Sequence, residues 1–107
     1  MGYRIVLGED AKSDLRSLRA FDRQRIGDDI DDQLTDQPAV QTRRRKQMRM
    51  EEGTLPFDVP PGWELRVGDL RVYYDVDEES QVVNVRAIRL KPTHRTTKES
   101  LDEDTDD

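Results

Sequence analysis

Two arginines, Arg66 and Arg71, flank a glycine–aspartate pair in the run Trp63 to Val76, W-E-L-R-V-G-D-L-R-V-Y-Y-D-V. Apolar residues recur at every second position, as Trp63, Leu65, Val67 and then Leu70, Val72, Tyr74, which is the period of a half-buried strand. Gly68-Asp69 at the midpoint predicts a two-residue type II′ turn, because glycine reaches the positive φ required at its first position. Residues whose numbers sum to 137 then face each other. Trp63/Tyr74, Leu65/Val72 and Val67/Leu70 form one apolar face, and the other face sets Arg66 opposite Arg71 with Glu64 opposite Tyr73. Like charges directly opposed destabilise a sheet. An anion held between the two guanidiniums would remove that cost. The competing reading is neutralisation by Glu64, Asp69 and Asp75, which makes the arginines an ordinary paired, solvated face.

Further cations lie at both ends of this hairpin. Arg43, Arg44, Arg45, Lys46 and Arg49 form a basic cluster upstream, either a binding surface or a strand entry balanced by acidic neighbours. Downstream come Arg89, Lys91, His94, Arg95 and Lys98, with no acid between Gln81 and Lys98. His94 is the only side chain whose ordinary pKa lies near neutrality, which suits it to proton transfer. A surface histidine without a chemical task is the alternative.

Composition excludes several kinds of chemistry. The absence of cysteine removes disulfides, thiolate zinc sites and cysteine nucleophiles, and a single histidine removes a histidine-cluster metal site. No metal or cofactor is expected. No apolar run approaches a membrane span or signal core, so a soluble, cytoplasmic protein with no membrane partner is the expectation. The net charge of −6 is unevenly spread: Glu99 to Asp107 carries six acids and no base, while residues 1–98 balance at 18 against 18. Residues 1–98 are read as one domain and 99–107 as an acidic, disordered tail.

The elements that must position these cations follow from periodicity. Tyr3 to Leu7 predicts an opening strand ended by Gly8. Ala11, Leu15 and Leu18 form the stripe of a first helix of about three turns, with Glu9 and Asp10 at its N-terminus. A second helix carries Ile26, Ile30 and Leu34, with Asp22 as N-cap, Phe21 stapled to Ile26, an acidic outer surface, and Pro38 beyond its end. Gln47 to Met50 predicts a strand with Met48 and Met50 inward. Glu51 to Gly62 is a Gly- and Pro-containing loop pinned by Phe57. Val82 to Leu90, almost continuously apolar at its start, suits a strand covered on both faces. The fold class is α+β, in the order β-α-α-β-β-β-β: an antiparallel helical hairpin on one face of a mostly antiparallel sheet of four to five strands.

The runs "WELRVGDLRVYYDVD" and "VVNVRAIRLK" resemble the core signature of the RelE/ParE toxins of type II toxin-antitoxin systems, and "YRIVLGEDAKSDLRSL" extends the likeness weakly, to cover roughly residues 3–95. The resemblance implies a RelE-like fold and a cognate antitoxin partner. For the members that cleave mRNA on the ribosome it implies a metal-independent site promoting attack of a 2′-hydroxyl on the adjacent phosphate. On that pattern Arg71 stabilises the phosphorane, Lys91 stands where another cation is placed, and Arg66, Lys46, Arg89 and Arg95 bind substrate. His94 would be the acid, and Glu64 a possible base or a charge partner of the arginines. The chain departs from the pattern at Gly62 and Glu64, where lysines are usual, and at Thr96-Thr97, with no later tyrosine. The alternatives are a ParE-like toxin that binds DNA gyrase without chemistry, or an inactive family member.

Overall fold

The computed structural model describes residues 2–48 and 61–91. Its elements are β1 (Arg4–Leu7), α1 (Glu9–Arg16), α2 (Ala20–Leu34), β2 (Arg45–Gln47), β3 (Trp63–Val67), β4 (Leu70–Asp77) and β5 (Val82–Leu90). The strands form one sheet in the order β1-β5-β4-β3-β2. Only the β1–β5 pair is parallel. Both helices pack on one face, as the sequence predicts. None of the described helices is long and apolar enough to cross a membrane.

The β3–β4 hairpin holds the predicted register at all five pairs, from Trp63↔Tyr74 to Val67↔Leu70. Gly68 sits at φ +61 and Asp69 is not at positive φ, the pattern of a type II′ turn rather than a type I′. The guanidinium of Arg25, from α2, lies against Gly68 so closely that a side chain there would collide with it. The apolar face of the hairpin meets Ile26, Ile30 and Leu34 of α2, Ala11 of α1, and Val83, Val85 and Ile88 of β5 in a single core. Trp63 and Tyr74 stack with ring centroids 6.2 Å apart.

Three local expectations are corrected. α1 is eight residues long, so Leu18 follows the helix rather than extending its stripe, although Leu15 and Leu18 still pack against the core. α2 begins at Ala20 with Arg19 as N-cap and no side-chain cap. Asp22 therefore lies inside the first turn, where a carboxylate still favours the helix N-terminus, and it pairs with Arg19 at 3.7 Å and Arg25 at 3.8 Å. Phe21 is 71% exposed, so no staple forms. Strand β2 begins earlier than predicted and turns Arg45 inward; Met50 and Phe57 lie outside the described residues. A buried guanidinium is tolerated there because its donors reach Val40 O (2.9 Å), Gln33 O (2.8 Å) and Gln33 Oε1 (3.0 Å). The Gln33 carbonyl is in the last turn of α2, where main-chain acceptors lack helical partners.

Strand β5 carries an irregularity that decides what faces what. Tyr73 pairs with Ala87 but Tyr74 pairs with Val85, leaving Arg86 as an extra residue. Simple alternation from Val83 and Val85 would turn Ala87 and Arg89 toward the helices. The bulge resets the phase, so Ile88 joins the core while Ala87 and Arg89 face the other side.

Candidate functional site

On the sheet face away from the helices, Arg66 pairs with Arg71 and Arg71 with Arg89, so three arginines form one row across β3, β4 and β5. Neighbouring strands lie about 4.8 Å apart, which crowds three positive charges more tightly than the hairpin alone suggested. The next row is Lys46, Glu64, Tyr73 and Ala87.

Each arginine is held differently. Arg71 is only 7% exposed, and its Nη1 donates to Gly68 O and Leu70 O, both at 2.9 Å. Arg66 is exposed, and its guanidinium has no partner among the described residues. Its backbone is fixed at the edge of the ladder, its N–H donating to Arg44 O (2.8 Å) and its carbonyl accepting from Arg44 Nε (3.1 Å). Arg89 donates from Nε to Asp14 Oδ2 at 3.1 Å, and the same oxygen accepts the Ile88 N–H at 2.9 Å. Asp14 belongs to α1, which covers the stretch of β5 that continues past β1. It was not foreseen as a site residue, and no local signal marks a contact spanning 74 positions.

Of the three local carboxylates that one reading of the sequence set against the arginines, Asp75 and Glu64 are bonded to other groups. Asp75 accepts the Gly62 N–H at 2.7 Å through Oδ1 and pairs with Arg86 at 3.1 Å through Oδ2. Glu64 accepts a hydrogen bond from the Tyr73 hydroxyl. Asp69 uses its main-chain oxygen to accept the Lys91 N–H at 2.8 Å, which brings the end of β5 beside the hairpin turn.

Tyr73 is the residue that sequence reasoning passed over. Alternation placed it on the arginine face opposite Glu64, which was the available signal. It is 2% exposed, and burial first, then the charge of Glu64 and the hydrogen bond to it, push its pKa up to about 12, against the opposing pull of Arg71 and Arg89. The phenol is therefore a neutral donor that orients Glu64. Its folded pKa exceeds the ordinary value of about 10. The stability this provides is complete below pH 10 and is lost as pH rises through about 12, since the unfolded chain gives up the proton first. Tyr73→Phe should remove the phenolate absorbance component near pH 12 and lessen the fall in Tm between pH 10 and 12. Some of that fall remains, because burial pushes Tyr74 up as well.

The upstream basic cluster is divided. Arg44 pairs with Asp29 of α2 at 2.6 Å and Arg45 is buried, so both serve the fold, whereas Lys46 is exposed on the arginine face. Lys91 is half-buried just past β5. His94 and Arg95 lie outside the described residues. Among the described residues no group of three or more acidic or histidine side chains is placed to hold a metal ion.

Residues 5–91 match the family model of the ParE toxin of type II toxin-antitoxin systems. The chain belongs to that RelE/ParE toxin family. No curated protein sequence matches it. Among solved structures, the toxin is similar to the archaeal RelE–RelB complex of Pyrococcus horikoshii, with 18% identity, a TM-score of 0.63, and coverage of 88% of this chain and 100% of that chain. The RelBE2 complex of Mycobacterium tuberculosis gives 18% identity and a TM-score of 0.62, covering 85% and 100%. The intact RelBE complex of E. coli gives 21% and 0.53, covering 86% and 99%. At these identities the likeness speaks for the fold: two helices on a five-stranded, mostly antiparallel sheet.

Proposed function

We propose that this toxin is an endoribonuclease that cleaves mRNA on the ribosome, with the arginine face as its RNA surface. The observation that supports it is the row Arg66–Arg71–Arg89, three arginines registered on the sheet face away from the helices, with Arg66 exposed and the Glu64 and Asp75 carboxylates bonded to Tyr73, Gly62 and Arg86. A ribose 2′-hydroxyl attacks the adjacent phosphorus, its proton passing to the Glu64 carboxylate that Tyr73 orients. Arg71, with Arg66 and Arg89, offsets the charge of the phosphorane. The bond to the 5′-oxygen breaks as His94 protonates it, leaving a cyclic 2′,3′-phosphate and a 5′-hydroxyl. Lys46, Lys91 and Arg95 hold flanking phosphates. The chemistry requires no metal or cofactor.

Solved relatives in complex with their antitoxins support a cognate antitoxin as partner, and on this reading it covers the arginine face. A second reading, a ParE-like toxin that binds DNA gyrase without chemistry, is favoured by the 7% exposure of Arg71. Mapping RNA 5′ ends after induction separates the two. New ends inside translated reading frames, with unchanged gyrase supercoiling, are expected; inhibited supercoiling with intact mRNA would establish the binding toxin instead.

A further inference from the structure

We propose that the hollow between β1, α1 and α2 is a docking site for a basic, amphipathic helix of a partner protein. The hollow lies on the helix side of the sheet, away from the arginines, so the inference stands apart from whatever the arginine face does. Its volume is about 440 Å³, and Ile5, Leu7, Leu15 and Ile30 give it an apolar floor. Ile5, Leu7 and Leu15 pack against the core yet stay only partly buried. One wall is a single stripe of α2, because Gln24, Gly27, Asp28 and Asp31 stand at i, i+3, i+4 and i+7.

Two features of that stripe weaken the helix with no compensation inside this chain. Gly27 lies mid-helix and exposed, although glycine there is less favourable than alanine. It is not at positive φ, and a Cβ at this position would meet nothing within 4 Å, so neither backbone conformation nor crowding calls for glycine. What glycine permits on an open helix face is close approach by another backbone. The second feature is charge. Asp28 has Asp31 and Asp32 three and four positions on, a spacing at which like charges destabilise a helix. Asp22 and Asp29 of the same helix meet arginines, at 3.8 Å and 2.6 Å, whereas Asp28 and Asp31 have no ion-pair partner among the described residues.

Charge selects the occupant. Carboxylates on the rim repel nucleic acid and anionic membrane surfaces, and a second copy using the same face would set these aspartates against their own equivalents. A partner helix with aliphatic residues at i, i+3 and i+4 seats them on the apolar floor, and flanking lysines or arginines reach Asp28 and Asp31. Gly27 is then the point at which the two helix axes come nearest.

The test titrates the isotope-labelled full chain with a synthetic helical peptide carrying leucines at i, i+3, i+4 and i+7 flanked by lysines, and with a counterpart in which every lysine is glutamate. The lysine peptide should shift the NMR amide resonances of Gln24, Gly27, Asp28 and Asp31 and bind about tenfold or more tighter than the glutamate peptide at low salt, the gap narrowing at high salt. Asp28→Asn combined with Asp31→Asn should weaken the lysine peptide about fivefold. Gly27→Ala should raise Tm by about 4 °C and yet weaken the peptide by about fivefold. Stability and affinity then move in opposite directions, which a glycine serving the fold alone does not produce. Equal affinity for the two peptides, binding by neither, or unchanged affinity in Gly27→Ala would overturn the proposal. Shifts of the same amides that depend on protein concentration without peptide would overturn it as well, and assign the face to a second copy.

Discussion

Arg71→Ala is expected to lower mRNA cleavage in a reconstituted translation reaction by about a hundredfold or more, the loss typical when one donor to a developing oxyanion is removed. The position justifies so large an effect. Arg71 is the middle of the row, the only arginine with another on each side, and its Nη1 is held by Gly68 O and Leu70 O. A guanidinium fixed in advance requires little reorganisation when charge develops on the phosphorane. The same hydrogen bonds make Arg71→Ala a partly structural change, costing about 1–2 kcal/mol for the turn carbonyls it leaves. Arg66→Ala is the cleaner companion. Its guanidinium is exposed with no partner among the described residues, so Tm should move little while cleavage falls about tenfold. Growth arrest that survives both substitutions, with no new 5′ ends in wild type, would transfer the toxin to the gyrase-binding reading.

What the chain discloses about itself divides by range of interaction. The hairpin was fully legible, because its apolar alternation and a turn demanding glycine act within fifteen residues, and every pair then followed. The second helix was legible in its stripe but not at its start: Asp22 has the chemistry of a cap, yet Ala20 and Phe21 continue the helix backward past it. Arg45 was misassigned because a basic run ordinarily signals solvent. What turns it inward is a set of carbonyls at the end of α2 and in the following loop, supplied by tertiary structure.

The candidate site was half visible for a related reason. Arg66 and Arg71 came from the hairpin alone. Arg89 entered the row only because the bulge at Arg86 changes the phase of β5, and nothing in V-V-N-V-R-A-I-R-L marks where that phase slips. Asp14, which holds Arg89, comes from a helix near the other end of the sequence. Tyr73 was on the correct face by parity, but its burial depends on what its neighbours leave uncovered.

The second large effect concerns the fold. Tyr74→Ala is expected to destabilise the protein by about 4 kcal/mol, within the range for emptying a buried aromatic site, and to leave little folded protein at 37 °C. Tyr74 is fully buried, stacks on Trp63, and donates its hydroxyl to Pro38 O at 2.7 Å. That one bond ties the chain leaving α2 to the centre of the sheet, across 36 positions. Tyr74→Phe isolates the bond: the ring and its stacking remain, and a buried carbonyl loses its donor, for about 1–3 kcal/mol. The chain between α2 and β2 carries Val40, whose carbonyl holds Arg45, so the loosening should spread to β2 and the neighbouring Lys46. Hydrogen exchange of Tyr74→Phe should therefore show faster exchange at Arg45 and Lys46, with the β4–β5 amides unchanged. If protection falls uniformly across the sheet instead, the hydroxyl stabilises the domain as a whole, and the strand bearing Lys46 is not held through Pro38.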